Sequence, residues 1–369
     1  MNDIARPLLL NPGPVTLSQR VRDSLLQADL CHREPEFFAL QDEIRRRLLE
    51  VYTLDAARWA AVLLSGSGTA AVEAMLSTLI PAEGRLLVIE NGVYGERMHR
   101  IAKVYGIACE ALTHAWGEAV DLDAVAARLR NAALPRITHI AAVHHETTTG
   151  RLNRIDALST LCAQHEVALL VDGVSSFGAE TIDFEHSGIA AVAATANKCL
   201  HGVPGAGFVV TRRDALVTAH PRNLYLDLAS WCQAQDAQGT PFTPAVHAYY
   251  ALREALREFA DAGGRAARYA HYRSLADQVG DGLLKLGIET LLPRDQSSVV
   301  LRAYRLPQAL SYARLHDGLK DRGFVIYAGQ GQLAADIFRI STMGAITADD
   351  MSRLLSEIRR LYSGGPISP

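Results

Sequence analysis

Short apolar runs alternate with amphipathic stretches through the first two thirds of the chain. The runs are nearly continuous in apolar residues, as strands buried on both faces of a sheet must be. They span Trp59–Leu64, Leu86–Glu90, Ile137–Val143, Val167–Val171, Ala190–Ala194 and Gly207–Thr211. The stretches between them place apolar residues at helical spacing and span Thr69–Leu79, Gly95–Tyr105, Leu122–Asn131 and Ile155–His165. This alternation predicts an α/β sheet with right-handed crossovers.

The pattern changes near residue 245, where long helical stretches replace the alternation. Two predicted helices are followed by strand, helix, strand and a closing helix. These stretches are Val246–Ala260, Arg265–Leu286, Ser298–Ala303, Leu310–Asp321, Phe324–Tyr327 and Asp350–Leu361. We therefore predict an N-terminal segment over residues 1–15, a large domain over 16–245 and a smaller C-terminal α+β domain over 246–369.

Length and composition restrict the class of protein. A chain of 369 residues with 49% hydrophobic and 21% charged residues suits a two-domain globular enzyme, and its net charge of −3 favours neither a nucleic acid nor an anionic membrane as partner. No apolar run approaches the ~18 residues of a membrane helix. The five cysteines show no CxxC spacing, and the N-terminus does not read as a signal peptide. We expect free thiols and a cytoplasmic location.

A lysine and an aspartate follow two of the predicted strands. AATANKCL leads into Lys198 and VALLVDG leads into Asp172, 26 residues apart, which leaves room for one helix and one strand between neighbouring strand ends. Burial lowers the pKa of an amine and makes it a nucleophile toward aldehydes. A carboxylate at a strand end can hold a buried protonated pyridine nitrogen. Taken separately, a surface lysine and a turn-capping aspartate are equally ordinary interpretations.

Two loops of small residues also follow predicted strands. LSGSGTAAVEA opens a helix whose backbone N–H groups, with the hydroxyls of Ser67 and Thr69, can cradle a phosphate, and no GK[ST] follows as in a P-loop. A simple Ser or Thr helix cap is the alternative. NGVYGER places Tyr94 between glycines, where it can stack on a planar ring or occupy an ordinary turn.

Polar residues crowd the end of a further strand in HHETTTG, where Thr148 can donate to a cofactor oxygen. Adjacent histidines on a strand face opposite ways and the HEXXH spacing is absent, so we expect no metal site. Arg339, in FRISTMG, lies between apolar residues on a predicted strand. Such an arginine binds a carboxylate or phosphonate bidentately, or forms a structural ion pair.

Together these segments resemble the class V, fold-type I aminotransferases that use pyridoxal 5'-phosphate (PLP). Within that class the chain most resembles 2-aminoethylphosphonate–pyruvate aminotransferases. The resemblance covers residues 7 to about 345 and is carried by NPGP, SGSGTAAVEA, NGVYGER, HHETTTGRLNRID, VDGVSSFG, ANKCLHGVPG, FTP before a helix, and FRI. It implies a large domain with a mostly parallel seven-stranded sheet and a homodimer with shared active sites. It also implies ping-pong transamination of 2-aminoethylphosphonate with pyruvate, giving phosphonoacetaldehyde and L-alanine.

The resemblance assigns roles residue by residue. Lys198 is the Schiff-base lysine, and Asp172 pairs with the ring nitrogen. The other cofactor contacts are Ser67, Gly68 and Thr69, which bind the phosphate or flank the ring, Tyr94 on the ring face, Thr148 at the ring hydroxyl and Thr243 at the phosphate of the neighbouring subunit. Arg339 binds the acidic end of the substrate. A phosphonate dianion needs more donors than one guanidinium provides. The backbone amide of Gly13 and the hydroxyl of Thr16 are therefore further candidates for substrate binding.

One segment departs from the phosphonate enzymes. Cys31–Phe37 reads CHREPEF, which resembles the alanine- or serine–glyoxylate branch of the class. His32 and Arg33 are reserve cations for the substrate or residues of a subunit contact. An alanine/serine–glyoxylate aminotransferase is therefore the alternative function. A class V lyase such as a cysteine desulfurase needs a mobile cysteine, and none follows Cys232. A non-catalytic PLP-fold binding protein is opposed by the complete lysine, aspartate and phosphate set.

Overall fold

The protein is described by a computed structural model that covers residues 7–185, 188–308 and 310–363. The remaining parts of the predicted N-terminal segment and C-terminal domain, residues 1–6 and 364–369, lie outside the described residues. The helices are α1 (Gln19–Asp23), α2 (Pro35–Glu50), α3 (Gly68–Leu79), α4 (Val93–Val104), α5 (Leu122–Arg130), α6 (Ile155–Gln164), α7 (Arg213–Val217), α8 (Leu228–Asp236), α9 (Val246–Asp261), α10 (Gly264–Leu284), α11 (Tyr312–Lys320) and α12 (Ala348–Ser363).

The strands are β1 (Leu8–Leu9), β2 (Trp59–Gly66), β3 (Arg85–Glu90), β4 (Ala108–Thr113), β5 (His139–Val143), β6 (His145–Glu146), β7 (Arg151–Leu152), β8 (Ala168–Asp172), β9 (Ile189–Thr195), β10 (Gly205–Arg212), β11 (Leu301–Arg305), β12 (Phe324–Val325), β13 (Tyr327–Ala328) and β14 (Ile337–Ser341). None of the helices in the described part of the chain is long and apolar enough to cross a lipid bilayer.

Seven strands form the central sheet in the order β2-β10-β9-β8-β5-β3-β4. All neighbours pair in parallel except β10, which is antiparallel to both β2 and β9. The predicted fold class, an α/β fold with a mostly parallel seven-stranded sheet, is confirmed. Alternate residues of β2 enter separate apolar clusters, Ala61 and Leu63 in one and Val62 and Leu64 in the other. The sheet is therefore covered on both faces, which explains the continuous apolar runs.

The edge strand β4 and the helix α2 were not predicted. The strand has the sequence ACEALT, is partly exposed along its length and pairs only with β3. An edge strand of this kind carries no buried two-faced run, so it lacks the signal that identified its neighbours. Helix α2 begins at Pro35, whose fixed φ suits the first turn of a helix, and it buries Phe37, Leu40 and Ile44.

The C-terminal part contains a three-stranded antiparallel sheet, β11-β14-β13, with α10, α11 and α12. The stretch predicted as one strand, Phe324–Tyr327, is divided. Its first half is β12, which pairs in parallel with β1, and its end belongs to β13, which pairs with β14. Leu10 joins the apolar cluster of this part of the molecule. The N-terminal segment therefore packs with the C-terminal elements, although all strands of the central sheet lie between them in sequence.

Candidate active site

The carboxyl ends of five strands meet at one edge of the central sheet. β2, β3, β5, β8 and β9 run in the same direction, because β10 is antiparallel to both β2 and β9 and the other pairs are parallel. Open α/β sheets bind their ligands at this edge. The predicted residues follow these strands: Ser67 to Thr69 after β2, Tyr94 after β3, Thr148 after β5, Asp172 at the end of β8 and Lys198 after β9. The predicted neighbour relation of the Asp172 and Lys198 strands is confirmed.

Lys198 lies beneath the N-terminal segment. Its ammonium donates a hydrogen bond to the carbonyl oxygen of Pro12. Burial lowers the pKa of Lys198 to about 8, although the charge of Asp172 acts in the opposite direction. Gly13 has φ +111°, and a Cβ on it would lie 2.7 Å from Cδ of Lys198 and 2.8 Å from Nζ. The segment passes this close to the lysine because residue 13 is glycine.

Asp172 is a buried carboxylate at the end of β8. One oxygen accepts a hydrogen bond from the backbone N–H of Val174, at 3.0 Å. Among the described residues no lysine, arginine or histidine lies within ion-pair distance of it. Burial raises the pKa of Asp172 to about 6, and the charges of Arg97 and Lys198 lower it in part. A buried carboxylate that accepts few hydrogen bonds and has no ion-pair partner among the described residues is suited to a cationic ligand.

Glu146 was missed as a site residue in the sequence. Its carboxylate accepts from the backbone N–H groups of Tyr94 at 3.1 Å, Gly95 at 3.4 Å and Thr148 at 3.1 Å, and from the Thr148 hydroxyl at 2.6 Å. Burial raises its pKa to about 7. A Cβ at Gly92 would lie 2.4 Å from its carboxyl carbon. Glu146 therefore joins the start of α4 to the Thr148 turn and fixes two predicted ligands of the cofactor.

The two histidines before Glu146 are buried and neutral. Burial lowers the pKa of His144 to about 3 and that of His145 to about 4. The Nδ1 atom of His144 lies 3.0 Å from the Ser176 hydroxyl, and that of His145 lies 3.1 Å from the Ser175 carbonyl oxygen. In the part of the chain that the structure describes, no group of three or more His, Cys, Asp and Glu side chains is placed to hold a metal ion.

The loop before α3 has the form of an anion cradle. Ser67 caps the helix by accepting from the backbone N–H of Ala70, at 3.3 Å. A Cβ on Gly68 would meet Val174, two residues after Asp172, at 2.8 Å, so glycine permits the close packing of this loop on the Asp172 turn. Arg97 donates to the Thr69 hydroxyl at 3.2 Å, and its guanidinium lies 4.6 Å from the centre of the Tyr94 ring. The loop, the ring and a cation therefore form one wall.

Arg339 lies on β14 and is 2% exposed. Its Nε donates to the carbonyl oxygen of Ala328 at 2.9 Å, and its Nη1 donates to the carbonyl oxygen of Thr147 at 2.9 Å and to Oε1 of Gln330 at 3.1 Å. Thr147 belongs to the same turn as Glu146 and Thr148. Strand β14 of the C-terminal sheet thus brings Arg339 to the edge of the central sheet that carries the other site residues.

The remaining predicted residues lie at the margins. The Thr16 hydroxyl accepts from the backbone N–H of Leu9 at 2.8 Å, so its oxygen helps to fold the N-terminal segment. Thr243 is exposed in the turn before α9. His32 is half-buried and Arg33 is exposed in the turn before α2.

His201 is a further residue that the sequence did not reveal. Its Nε2 atom accepts a hydrogen bond from the backbone N–H of Gly344 at 2.8 Å and lies 2.5 Å from both the Tyr272 hydroxyl and Nη1 of Arg268. Burial holds its pKa well below the ordinary value. The neutral ring joins the Lys198 loop to α10 and to the segment after β14. These partners are 67, 71 and 143 residues away, so no local pattern predicts them.

A model of the family described as Aminotransferase class-V matches residues 30–353, and the chain belongs to that family. It is similar to the 2-aminoethylphosphonate–pyruvate transaminase of Vibrio cholerae, with 37% identity over 95% of this chain and 96% of the relative. The transaminase of the same description from Aeromonas hydrophila is 39% identical over 92% of this chain and 91% of the relative.

Solved structures of aminotransferases have the same fold. The alanine–glyoxylate aminotransferase from Nostoc sp. superposes with a TM-score of 0.90 at 25% identity, over 97% of this chain and 96% of that chain. An aspartate aminotransferase of subgroup IV from Thermus thermophilus gives a TM-score of 0.87 at 29% identity, over 96% of this chain and 99% of that chain. The protein is an aminotransferase with an amine and a 2-oxo acid as substrates.

Proposed function

We propose that this protein transfers the amino group of 2-aminoethylphosphonate to pyruvate, giving phosphonoacetaldehyde and L-alanine, with PLP as cofactor. The observation that carries the proposal is the convergence of three groups on one sheet edge. They are a lysine with a pKa near 8, a buried carboxylate without an ion pair and a buried arginine held by neutral oxygens. The relatives of this description at 37–39% identity support the choice of substrates.

The residues present fit PLP. Lys198 offers an amine of lowered pKa for the aldehyde, and Asp172 offers a buried carboxylate for the ring nitrogen. The loop of Ser67, Gly68 and Thr69 offers N–H groups and hydroxyls for the phosphate. We assign Tyr94 to the ring face. The Thr148 hydroxyl donates its one hydrogen to Glu146 and accepts from the backbone N–H of Val93 at 3.1 Å, so it can meet the ring oxygen only as an acceptor and not as the predicted donor. When bound, PLP supplies an electron sink for the bonds at the amine-bearing carbon.

In this proposal the protein handles protons and orientation. Nζ of Lys198 takes the proton from the amine-bearing carbon of the substrate and later returns one, which its pKa near neutrality permits. Asp172 keeps a negative charge opposite the ring nitrogen. Glu146 holds Tyr94 and Thr148 in place through its four hydrogen bonds. The Pro12–Gly13 turn lies against the lysine, and the Pro12 carbonyl oxygen accepts its hydrogen bond.

Arg339 is assigned to the acidic group of either substrate, the phosphonate of the donor or the carboxylate of the acceptor. Its guanidinium donates through Nε and Nη1 to protein oxygens, which fixes its plane and leaves Nη2 for a ligand. The backbone N–H of Gly13 is the second donor that we propose. Thr16 contributes by holding the segment that presents Gly13, because its hydroxyl oxygen accepts from Leu9.

We further propose a homodimer with shared active sites. Thr243 lies beside Phe242, whose ring is 5.2 Å from that of Tyr225, and Leu224 and Tyr225 are 82% and 42% exposed. Exposed apolar side chains beside a hydroxyl-bearing turn support a subunit contact that brings Thr243 to the neighbour's phosphate site. We expect the protein to sediment as a dimer. We also expect Thr243→Ala to weaken PLP binding without dissociating the dimer. A monomer with a complete, active site would contradict this assembly.

The cytoplasmic location stays a prediction.

The second candidate function is an alanine- or serine–glyoxylate aminotransferase. The CHREPEF segment favours it. The Nostoc enzyme supports it too, although its 25% identity is lower than that of the phosphonate transaminases. In the structure Arg33 is exposed and His32 half-buried in a surface turn, which supports a contact role for both rather than a substrate role.

A panel assay of the purified protein tests the proposal. The donors are 2-aminoethylphosphonate, alanine and serine, each with pyruvate and glyoxylate as acceptors. We expect 2-aminoethylphosphonate with pyruvate to give the highest kcat/KM. Turnover of alanine or serine with glyoxylate and none of the phosphonate would transfer the protein to the second candidate. A protein that binds PLP but shows no spectral change with any amine would be a binding module instead.

A further inference from the structure

Arg339 is a buried cation that the protein orients but does not neutralise. All three of its hydrogen-bond acceptors are neutral oxygens, those of Ala328, Thr147 and the Gln330 side chain. Among the described residues no carboxylate lies within ion-pair distance of it, and Glu146 affects it only through its field. An uncompensated buried charge is costly. The arrangement is therefore suited to a ligand that supplies the missing negative charge.

Gln330 is the only side chain among these three acceptors in the described structure, and its amide orientation follows from chemistry. A guanidinium carries donors alone, so the amide atom that faces it must be the oxygen. The amide nitrogen of Gln330, with its two hydrogens, consequently points away from Nη1 of Arg339. Gln330 is half-buried, and these two donors are available to a neighbouring anion.

The backbone around Gln330 is held between the two halves of the molecule. Gly331 has φ +49°, and a Cβ on it would lie 2.6 Å from the Trp116 indole, so glycine is needed for this contact. The Trp116 indole N–H donates to Glu96 at 2.7 Å. Glu96 lies on α4, the helix that carries Tyr94. Gln330 is therefore positioned by the large domain while it contacts the arginine of the small domain.

We propose that Gln330 is a specificity-determining residue, a neutral amide that orients Arg339 while leaving its charge free for the substrate's anionic group. The amide adds N–H donors that suit the three oxygens of a phosphonate dianion. A carboxylate at the same position would accept the same hydrogen bond but would form an ion pair with Arg339 and repel the dianion. This inference rests on the proposed function for the choice of phosphonate.

The test compares two glutamine-to-glutamate variants of the same segment. Gln330→Glu places the carboxylate against Arg339, whereas Gln332→Glu places the same charge two residues away on an exposed side chain. The PLP-loaded enzyme is titrated by calorimetry with ethylphosphonate, which has the donor's phosphonate but no amine, and with propionate as the carboxylate counterpart. Steady-state KM and kcat for 2-aminoethylphosphonate and the melting temperature are measured beside it.

We expect Gln330→Glu to bind ethylphosphonate at least tenfold more weakly, about 1.4 kcal/mol, with a smaller loss for propionate because a monoanion is repelled less. KM for the donor rises while kcat changes little. The melting temperature holds or increases, because Arg339 gains a partner. Gln332→Glu stays within about twofold of the wild type. Gln330→Ala, which loses the donors but adds no charge, falls between them at roughly three- to tenfold.

The two proposals fail in different ways. Unchanged ethylphosphonate binding in Gln330→Glu, or an equal loss in Gln332→Glu, overturns the role of Gln330 and leaves the proposed function intact. A lower melting temperature in both Gln330→Glu and Gln330→Ala with unchanged affinity makes the residue merely structural. A wild type that transaminates alanine or serine but not the phosphonate, while Gln330→Glu still weakens propionate binding, overturns the substrate assignment and supports the charge-preserving role.

Discussion

The two ends of the candidate active site treat charge in opposite ways. At the cofactor end, burial moves the pKa of Asp172 to about 6, of Glu146 to about 7 and of Lys198 to about 8, so all three titrate near neutrality. At the substrate end, Arg339 is 2% exposed, and burial lowers its pKa from a very high ordinary value. A guanidinium nevertheless stays protonated in proteins.

This difference separates chemistry from recognition. The pKa values of carboxylates and amines move toward neutrality when a protein desolvates these groups, so burial at the edge of the central sheet can tune proton transfer. An arginine stays protonated when it is buried, so β14 of the C-terminal sheet supplies a permanent cation that has only to be oriented. The following changes test each end, beginning with the largest expected effect.

Removal of the lysine amine acts on the chemistry itself. We expect Lys198→Ala to lower kcat by about 10⁴-fold or more, since a positioned acid–base group alone contributes up to about that factor. The visible band of the lysine-linked cofactor disappears, while PLP is still retained in part through its phosphate contacts. Absorbance spectra and single-turnover kinetics measure both effects. Lys103→Ala, on the exposed face of α4, is the matched control. A purified wild type without any chromophore would contradict the assignment of Lys198 as the PLP-binding lysine.

Neutralising the aspartate weakens the same end without deleting the amine. We expect Asp172→Asn to fold normally and to lose roughly 10²–10³-fold in kcat, the scale seen for one preorganised electrostatic group. Because the Asp172 charge raises the Lys198 pKa, its removal also moves that pKa below about 8. The pH dependence of apoenzyme reconstitution with PLP, compared between the variant and the wild type, measures the shift. Turnover near the wild-type rate would show that Asp172 does not serve the ring nitrogen.

The substrate end is tested by keeping the charge and changing its shape. Arg339→Lys preserves a cation but loses the planar guanidinium that Ala328 and Thr147 hold in one orientation. We expect KM for 2-aminoethylphosphonate to rise at least tenfold, about 1.4 kcal/mol, while PLP affinity and the Lys198 band stay unchanged. Steady-state kinetics and a PLP titration of the apoenzyme measure the two quantities. Equal losses in PLP affinity and substrate affinity would mean that the two ends are not separate.

The smallest expected effect is a pH dependence that links the two ends. The neutral amine of Lys198 reacts with PLP, so the rate of reconstitution of the apoenzyme rises with pH and levels off above about 8, well below the 10.5 of an ordinary lysine. The field of Arg339 lowers this pKa, so Arg339→Gln moves the midpoint upward. Stopped-flow absorbance over pH 6 to 10 measures it. A rate that keeps increasing to the ordinary lysine value would contradict the burial of Lys198.

The sequence by itself determined the buried strands of the sheet and its reactive edge. Strands covered on both faces must be continuously apolar, so β2, β8 and β9 were predicted close to their observed bounds. Polar residues at the ends of such strands are exceptions that a buried core does not explain, and Asp172 and Lys198 were found for that reason. These are local signals, because the apolar residues of a strand are enough to predict that the strand is buried.

Only the tertiary structure decided which groups surround the reactive pair. Pro12 reaches Lys198 across 186 residues, and Arg339 reaches Thr147 across 192. Neither Glu146 nor Gln330 was predicted from the sequence as a site residue. Hydrogen bonds of this kind depend on which distant segments of the chain are brought together, and that follows from strand order and from the packing of the two sheets. The side-chain periodicity of a helix or strand does not predict such long-range contacts.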